Sequence, residues 1–153
     1  MLTNFEIMQS PLGSKVNFFF DRVVFNLKNR KKLKRFINHI FKNEQTDLRS
    51  INYIFSTDNS LHKINRKYLN HNTLTDIITF RLSEKRQPIE ADVYISIERI
   101  KENAFNLEIT FTEELHRVIF HGALHLCGFN DKKRSQQAVM RSKEDYYLYK
   151  YFG

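Results

Sequence analysis

The stretch HGALHLCGFND, residues 121 to 131, constrains this chain more than any other. His121 and His125 stand four apart, so on a helix their rings share one face and can converge on one point. Gly128 follows three residues after His125 and suits the left-handed conformation that ends a helix. Asp131 comes three residues later, where its carboxylate can swing back beside the two imidazoles. Two imidazole nitrogens and one carboxylate oxygen, with a fourth position open, form the donor set of a catalytic zinc site. A carboxylate also suits harder divalent ions, so the spacing alone leaves the metal open. Two histidines four apart are commonly no more than half-buried helix residues. The added Gly128 and Asp131, in the pattern H-x3-H-x2-G-x2-D, turn the pair into an expected metal site.

Gly122 says something about the chemistry. In zinc peptidases of the H-E-x-x-H type, the glutamate after the first histidine is the general base for the metal-bound water. Here that position is Gly122, so peptidase chemistry lacks its proton acceptor. Glycine in mid-helix costs about 1 kcal/mol against alanine, so Gly122 is expected to permit close packing or substrate approach. His116 is rotated off the ligand face, and His39, His62 and His71 have no partner at ligand spacing. Cys127 is expected to point away from the metal into the core. It is the only cysteine, which excludes an intrachain disulfide and fits a reducing compartment. Glu114, seven residues before His121, is an acid on the same face two turns away.

The 153 residues suffice for one domain with a sizeable core. Residues 1–15, with Pro11 and Gly13, are expected to form a flexible leader, and 16–153 a single domain. VNFFFDRVVF (16–25), LRSINYIFST (48–57), LTDIITFRL (74–82) and IEADVYISI (89–97) read as strands. The run Ile77-Ile78-Thr79-Phe80 predicts burial on both faces. Helices are expected over the basic segment ending near residue 43, from Asp58 as cap to Leu69, over ERIKENAFN, from Thr112 as cap to about Gly128, and from Ser135 to Tyr149. The result is an α+β fold: a four-stranded mixed sheet packed with about five helices, one of them a metzincin-like zinc helix.

The formal net charge of +8 favours a polyanionic partner. Eight Lys/Arg and no acid lie from Arg22 to Lys42. There Leu33, Phe36, Ile37, Ile40 and Phe41 recur at helical spacing, which gives an amphipathic helix with a basic outer face. That face is either simply solvated or an RNA-phosphate footprint. No run reaches the roughly 18 apolar residues of a membrane helix, and the N-terminus lacks the pattern of a secretion signal.

HGALHLCGFND resembles the motif H-G-x-L-H-L-x-G-[FY]-x-[HD] of the YbeY family of bacterial endoribonucleases and rRNA maturation factors. Residues 64–80, INRKYLNHNTLTDIITF, are similar to the family's L-N-x-x-Y-R-x-x-D-x-x-T-D-V-L-S-F segment, and IEADVYIS (89–96) to its G-D-I-x-I-S strand. The likeness covers about residues 16–150. It implies one Zn2+ per chain, or another divalent metal, on His121, His125 and Asp131, with Asp131 where many members carry histidine. It also implies single-strand-specific cleavage in maturation of the small-subunit rRNA 3' end and ribosome quality control. The partners implied are rRNA and the small ribosomal subunit or one of its proteins, in the cytoplasm, with no membrane and no DNA. The family's arginine after the tyrosine falls on Leu69, and His71 and Asn72 stand near two further altered positions. Thr75 and Asp76 keep the family's T-D pair; Arg66 and Arg81 are candidates to replace the missing charge on the substrate side. The competing expectations are a non-catalytic ribosome-assembly factor with a structural zinc, favoured by Leu69, and remotely a zinc metalloprotease, disfavoured by Gly122.

Overall fold

A computed structural model describes residues 15–153; the expected leader lies outside the described residues except at its last position. Strands β1 (Val16–Phe20), β2 (Leu48–Ser56), β3 (Ile77–Arg81) and β4 (Ile89–Ser96) form one sheet in the order β1-β2-β4-β3. β1, β2 and β4 run parallel, and β3 pairs antiparallel with β4, so the sheet is mixed as expected. Five helices complete the chain: α1 (Arg30–Asn43), α2 (Asp58–Leu69), α3 (Ile97–Leu107), α4 (Phe111–Leu126) and α5 (Arg134–Phe152).

The sheet separates two apolar clusters. On one face Leu33, Ile37 and Ile40 of α1, Ile119, Ala123 and Leu124 of α4, and Tyr147 and Tyr151 of α5 pack on Tyr53, Val93 and Ile95. On the other face Leu61 of α2 packs with Ile54, Ile78 and Tyr94. Adjacent Ile77 and Ile78 enter opposite clusters, which is the two-faced burial their apolar run predicts.

Several boundaries differ from the sequence reading, each for a local reason. β1 stops at Phe20 rather than residue 25, because the chain turns at Arg22 with φ 61°. Phe25 then leaves the sheet and packs against Phe20, Phe55 and Phe111. β3 begins at Ile77 rather than residue 74: the Asn65 side chain donates to the Thr73 carbonyl, and Thr75 Oγ1 donates to the Ile77 carbonyl. β4 gives way at Ser96, whose hydroxyl accepts from the Arg99 N–H and caps α3. Thr57, not Asp58, caps α2 through the Ser60 N–H; Asp58 instead accepts from Ser96 and Arg99. Thr110, not Thr112, caps α4 by accepting from the Glu113 N–H.

Candidate metal centre

Helix α4 lies against β3 and β4, and Gly122 lets it do so. A Cβ at that position would sit 2.9 Å from Ile77 Cδ1 and 3.2 Å from Val93 Cγ1. The mid-helix glycine therefore serves close packing onto the sheet. That packing sets His121 and His125, on the flank of the helix, at the edge formed by β3.

Helix α4 ends as its sequence predicts. Gly128 takes φ 102°, in the left-handed region, and the Phe129 N–H donates back to the Leu124 carbonyl at 3.1 Å. The reversed chain delivers Asp131 to the histidines. Its Oδ2 lies 3.3 Å from His121 Nε2 and 3.3 Å from His125 Nε2. The three potential ligand atoms all fall within 4.8 Å of one another. Two ring nitrogens aimed at one carboxylate oxygen, on half-buried side chains, are a donor set that fits zinc.

The other ring nitrogen of His121 is already committed. Nδ1 lies 2.6 Å from Glu144 Oε2, and a carboxylate acceptor fixes the proton there, leaving the Nε2 lone pair toward Asp131. Glu144 is buried on α5 and held by Arg117, whose guanidinium donates to Oε1 at 3.2 Å and to Asp145 at 2.8 Å. Burial pushes the His121 pKa down. The Glu144 bond and the charges of Glu144, Asp131 and Asp76 outweigh it, so the value lies above the ordinary 6.5. Glu144 is invisible to motif reading because it lies 23 residues from His121. Its signal is an acid on the buried stripe Met140, Glu144, Tyr147, Leu148 and Tyr151.

The histidines and Asp131 open into a groove of about 810 Å³, lined also by Leu69, Thr75, Asp76 and Lys132. Asp76 accepts from Asn103 at 3.3 Å; burial, countered in part by His121, raises its pKa above the usual carboxylate value. Arg81 reaches the same groove, but its guanidinium donates to the Glu84 and Gln87 carbonyls at 2.9 Å and so ties the β3–β4 turn. Arg66 stands outside the groove, in a neighbouring pocket with Lys63, Lys67 and His71. Glu114 is buried behind the site; burial and then repulsion from Asp76 raise its pKa. His116 is buried too: it stacks on Tyr151, and its Nδ1 lies 2.7 Å from the Thr112 carbonyl. Cys127 is half-buried, and burial pushes its thiol pKa up to about 11, the state of an unreactive thiol.

The family model described as "Endoribonuclease YbeY" matches residues 21–152. The chain belongs to the YbeY family. An endoribonuclease YbeY of Amoebophilus asiaticus is 43% identical over 135 residues, which is 88% of this chain and 92% of that one. Its counterpart in Flavobacterium psychrophilum is 45% identical over 121 residues, 79% of this chain and 86% of that one. A Thermotoga maritima protein solved in solution has the same fold, with TM-score 0.63 and 25% identity over 90% of this chain and 89% of its own. The motif resemblance and the α+β architecture of this YbeY chain thus agree. The basic helix α1 packs with β1, β2 and α4, so it sits toward the sheet edge opposite β3 and the groove. Among the described residues no helix is long and apolar enough to cross a membrane.

Proposed function

We propose that this chain is a zinc-dependent endoribonuclease that cuts single-stranded RNA at the 3' end of the small-subunit rRNA during maturation. In the same reading it serves ribosome quality control, works in the cytoplasm with the small subunit or one of its proteins as partner, and carries its activity in one domain, residues 16–153. The observation that carries the reading is the convergence of His121, His125 and Asp131 at the mouth of an open groove, in a chain whose relatives are named endoribonucleases.

His121, His125 and Asp131 would hold the metal. When bound, zinc supplies a Lewis acid that lowers the pKa of a water and polarises a phosphoryl oxygen. Glu144 orients His121 by accepting a hydrogen bond from its Nδ1–H, and Arg117 keeps Glu144 in place. Asp76, a groove carboxyl held toward its neutral form, can carry a proton at the site. Lys132 supplies a cation in the groove for a phosphate. Gly122, packed against Ile77 and Val93, leaves no general base where a peptidase needs one.

The test is cleavage of a precursor small-subunit rRNA fragment by zinc-loaded protein beside a His121→Ala protein of matched folding. Cutting by the wild type alone supports the nuclease. Zinc bound at one per chain with no cutting by either would replace it with a non-catalytic assembly factor.

A further inference from the structure

Next along the chain from Leu69, which lines the metal groove, the residues after it line a second recess of about 420 Å³. Its lining is Lys63, Arg66, Lys67, Asn70, His71 and Asn72: three cations, a histidine, two amides and no acid. Lys63, Arg66 and Lys67 are spaced i, i+3 and i+4, so their charges share one face of α2. Like charges at that spacing repel; all three are exposed and none has a carboxylate partner among the described residues, while Lys67 Nζ lies 5.3 Å from the centroid of the Tyr68 ring. Arg99, Arg117 and Lys143, by contrast, are answered by Asp58, Glu144 and Glu44. The helix dipole favours cations in the last turn, which covers Arg66 and Lys67 but not Lys63.

The wall opposite the cations is built. Asn70 ends α2 in the left-handed region with φ 54°, and the His71 N–H donates to the Asn65 carbonyl at 3.2 Å. Buried Asn65 donates its side-chain amide to the Thr73 carbonyl at 2.9 Å, and His62 Nε2 lies 2.9 Å from Asn72 Oδ1. Loop 70–73 is thereby folded back over the helix end. Leu69 lines the groove and Asn70 lines the recess, so a strand leaving the metal groove across this pair meets the cations at once.

We propose that this recess is an anion subsite that takes a backbone phosphate of the RNA strand away from the scissile position. The inference rests on the nuclease reading above. It assigns Arg66 to strand binding rather than to the reacting phosphate, with Lys63 and Lys67 as its co-ligands.

The experiment uses zinc-loaded full chain, a labelled twelve-nucleotide 2'-O-methyl oligouridylate as binding probe, and the matching unmodified twelve-mer and trimer as substrates. Lys63→Gln/Arg66→Gln/Lys67→Gln is compared with the wild type and with Lys28→Gln/Lys31→Gln/Arg35→Gln, which removes equal charge near the other sheet edge. Each phosphate no longer neutralised lowers the slope of log affinity against log salt by about 0.7; the recess takes one phosphate, so the first variant is expected to lose about 0.7 from the slope. Its KM for the twelve-mer rises while kcat, trimer cleavage, zinc content and melting temperature stay as in the wild type. A slope unchanged from wild type, or one that falls equally in the control variant, overturns the subsite and leaves the nuclease standing. A wild type that neither binds nor cuts RNA overturns the nuclease reading and the subsite with it, before any variant is needed.

Discussion

Glu144→Gln removes one charge from behind the metal site and almost nothing of its shape. The replaced carboxylate is 5% exposed, so water does not take its place. It accepts from His121 Nδ1 at 2.6 Å, a charge-assisted bond. A neutral amide acceptor keeps the geometry but makes a bond roughly half as strong, and it no longer raises the basicity of the opposite ring nitrogen. Exchanges of such supporting partners lower metal affinity about 10–100-fold, or roughly 1.4–2.7 kcal/mol. Arg117 is not stranded, because it keeps Asp145 at 2.8 Å, so the metal-free fold should survive. The assay is zinc competition against a chelator near pH 8, with melting curves of the metal-free proteins as the fold control. The pH dependence adds a signature. Glu144 raises the His121 pKa, so the wild type must expel a more tightly held proton before zinc binds. The deficit of the variant therefore shrinks as the pH falls. Affinity within twofold of wild type near pH 8, in a variant that melts normally, would refute this role for Glu144.

Other perturbations test other joints of the structure. Gly122→Ala forces a Cβ against Ile77 and Val93; overpacking of this kind costs about 1–3 kcal/mol, offset by about 1 kcal/mol of helix propensity, so a net loss of up to about 2 kcal/mol is expected in denaturant melts. Tyr53→Phe removes the buried bond to the Ile119 carbonyl at 3.1 Å and should cost about 0.5–1.5 kcal/mol in the same assay. Glu114→Gln tests a buried carboxyl whose pKa lies above the ordinary 4.5 through burial and Asp76. A raised folded-state value gives stability that is complete below 4.5 and is lost as pH rises through the folded value, so the variant should gain melting temperature over wild type at pH 8 but not at pH 4; a pH-independent difference would contradict it.

The parts of the site that lie within one local stretch were legible in the sequence. His121, His125, Gly128 and Asp131 are joined by one helix and one turn, and helical spacing with a left-handed glycine is enough to bring their donor atoms together. The sheet was legible too, because alternation and apolar runs such as residues 77–80 report burial directly. What escaped was set by contacts between distant segments. Glu144 reaches His121 from another helix, and only its place on a buried stripe marks it out. Arg81 looks like a free groove cation in the sequence but spends its guanidinium on the β3–β4 turn. The breaks at Arg22 and before Ile77 depend on one backbone angle and on the Asn65 side chain, neither of which shows in hydrophobic periodicity. Helix caps shifted by one or two residues for a related reason: several neighbouring Ser, Thr and Asp side chains compete, and tertiary partners such as Arg99 decide which one caps.

In the proposed function, His121, His125 and Asp131 hold a metal on which RNA cleavage depends. Stripped protein titrated with zinc tests it most directly, with bound metal measured by elemental analysis and cleavage of single-stranded RNA measured on the same samples. Both should rise together and saturate at one equivalent per chain, and both should be absent in Asp131→Ala and His125→Ala proteins that melt normally. Full cleavage by the stripped chain, or by those variants, would contradict the claim.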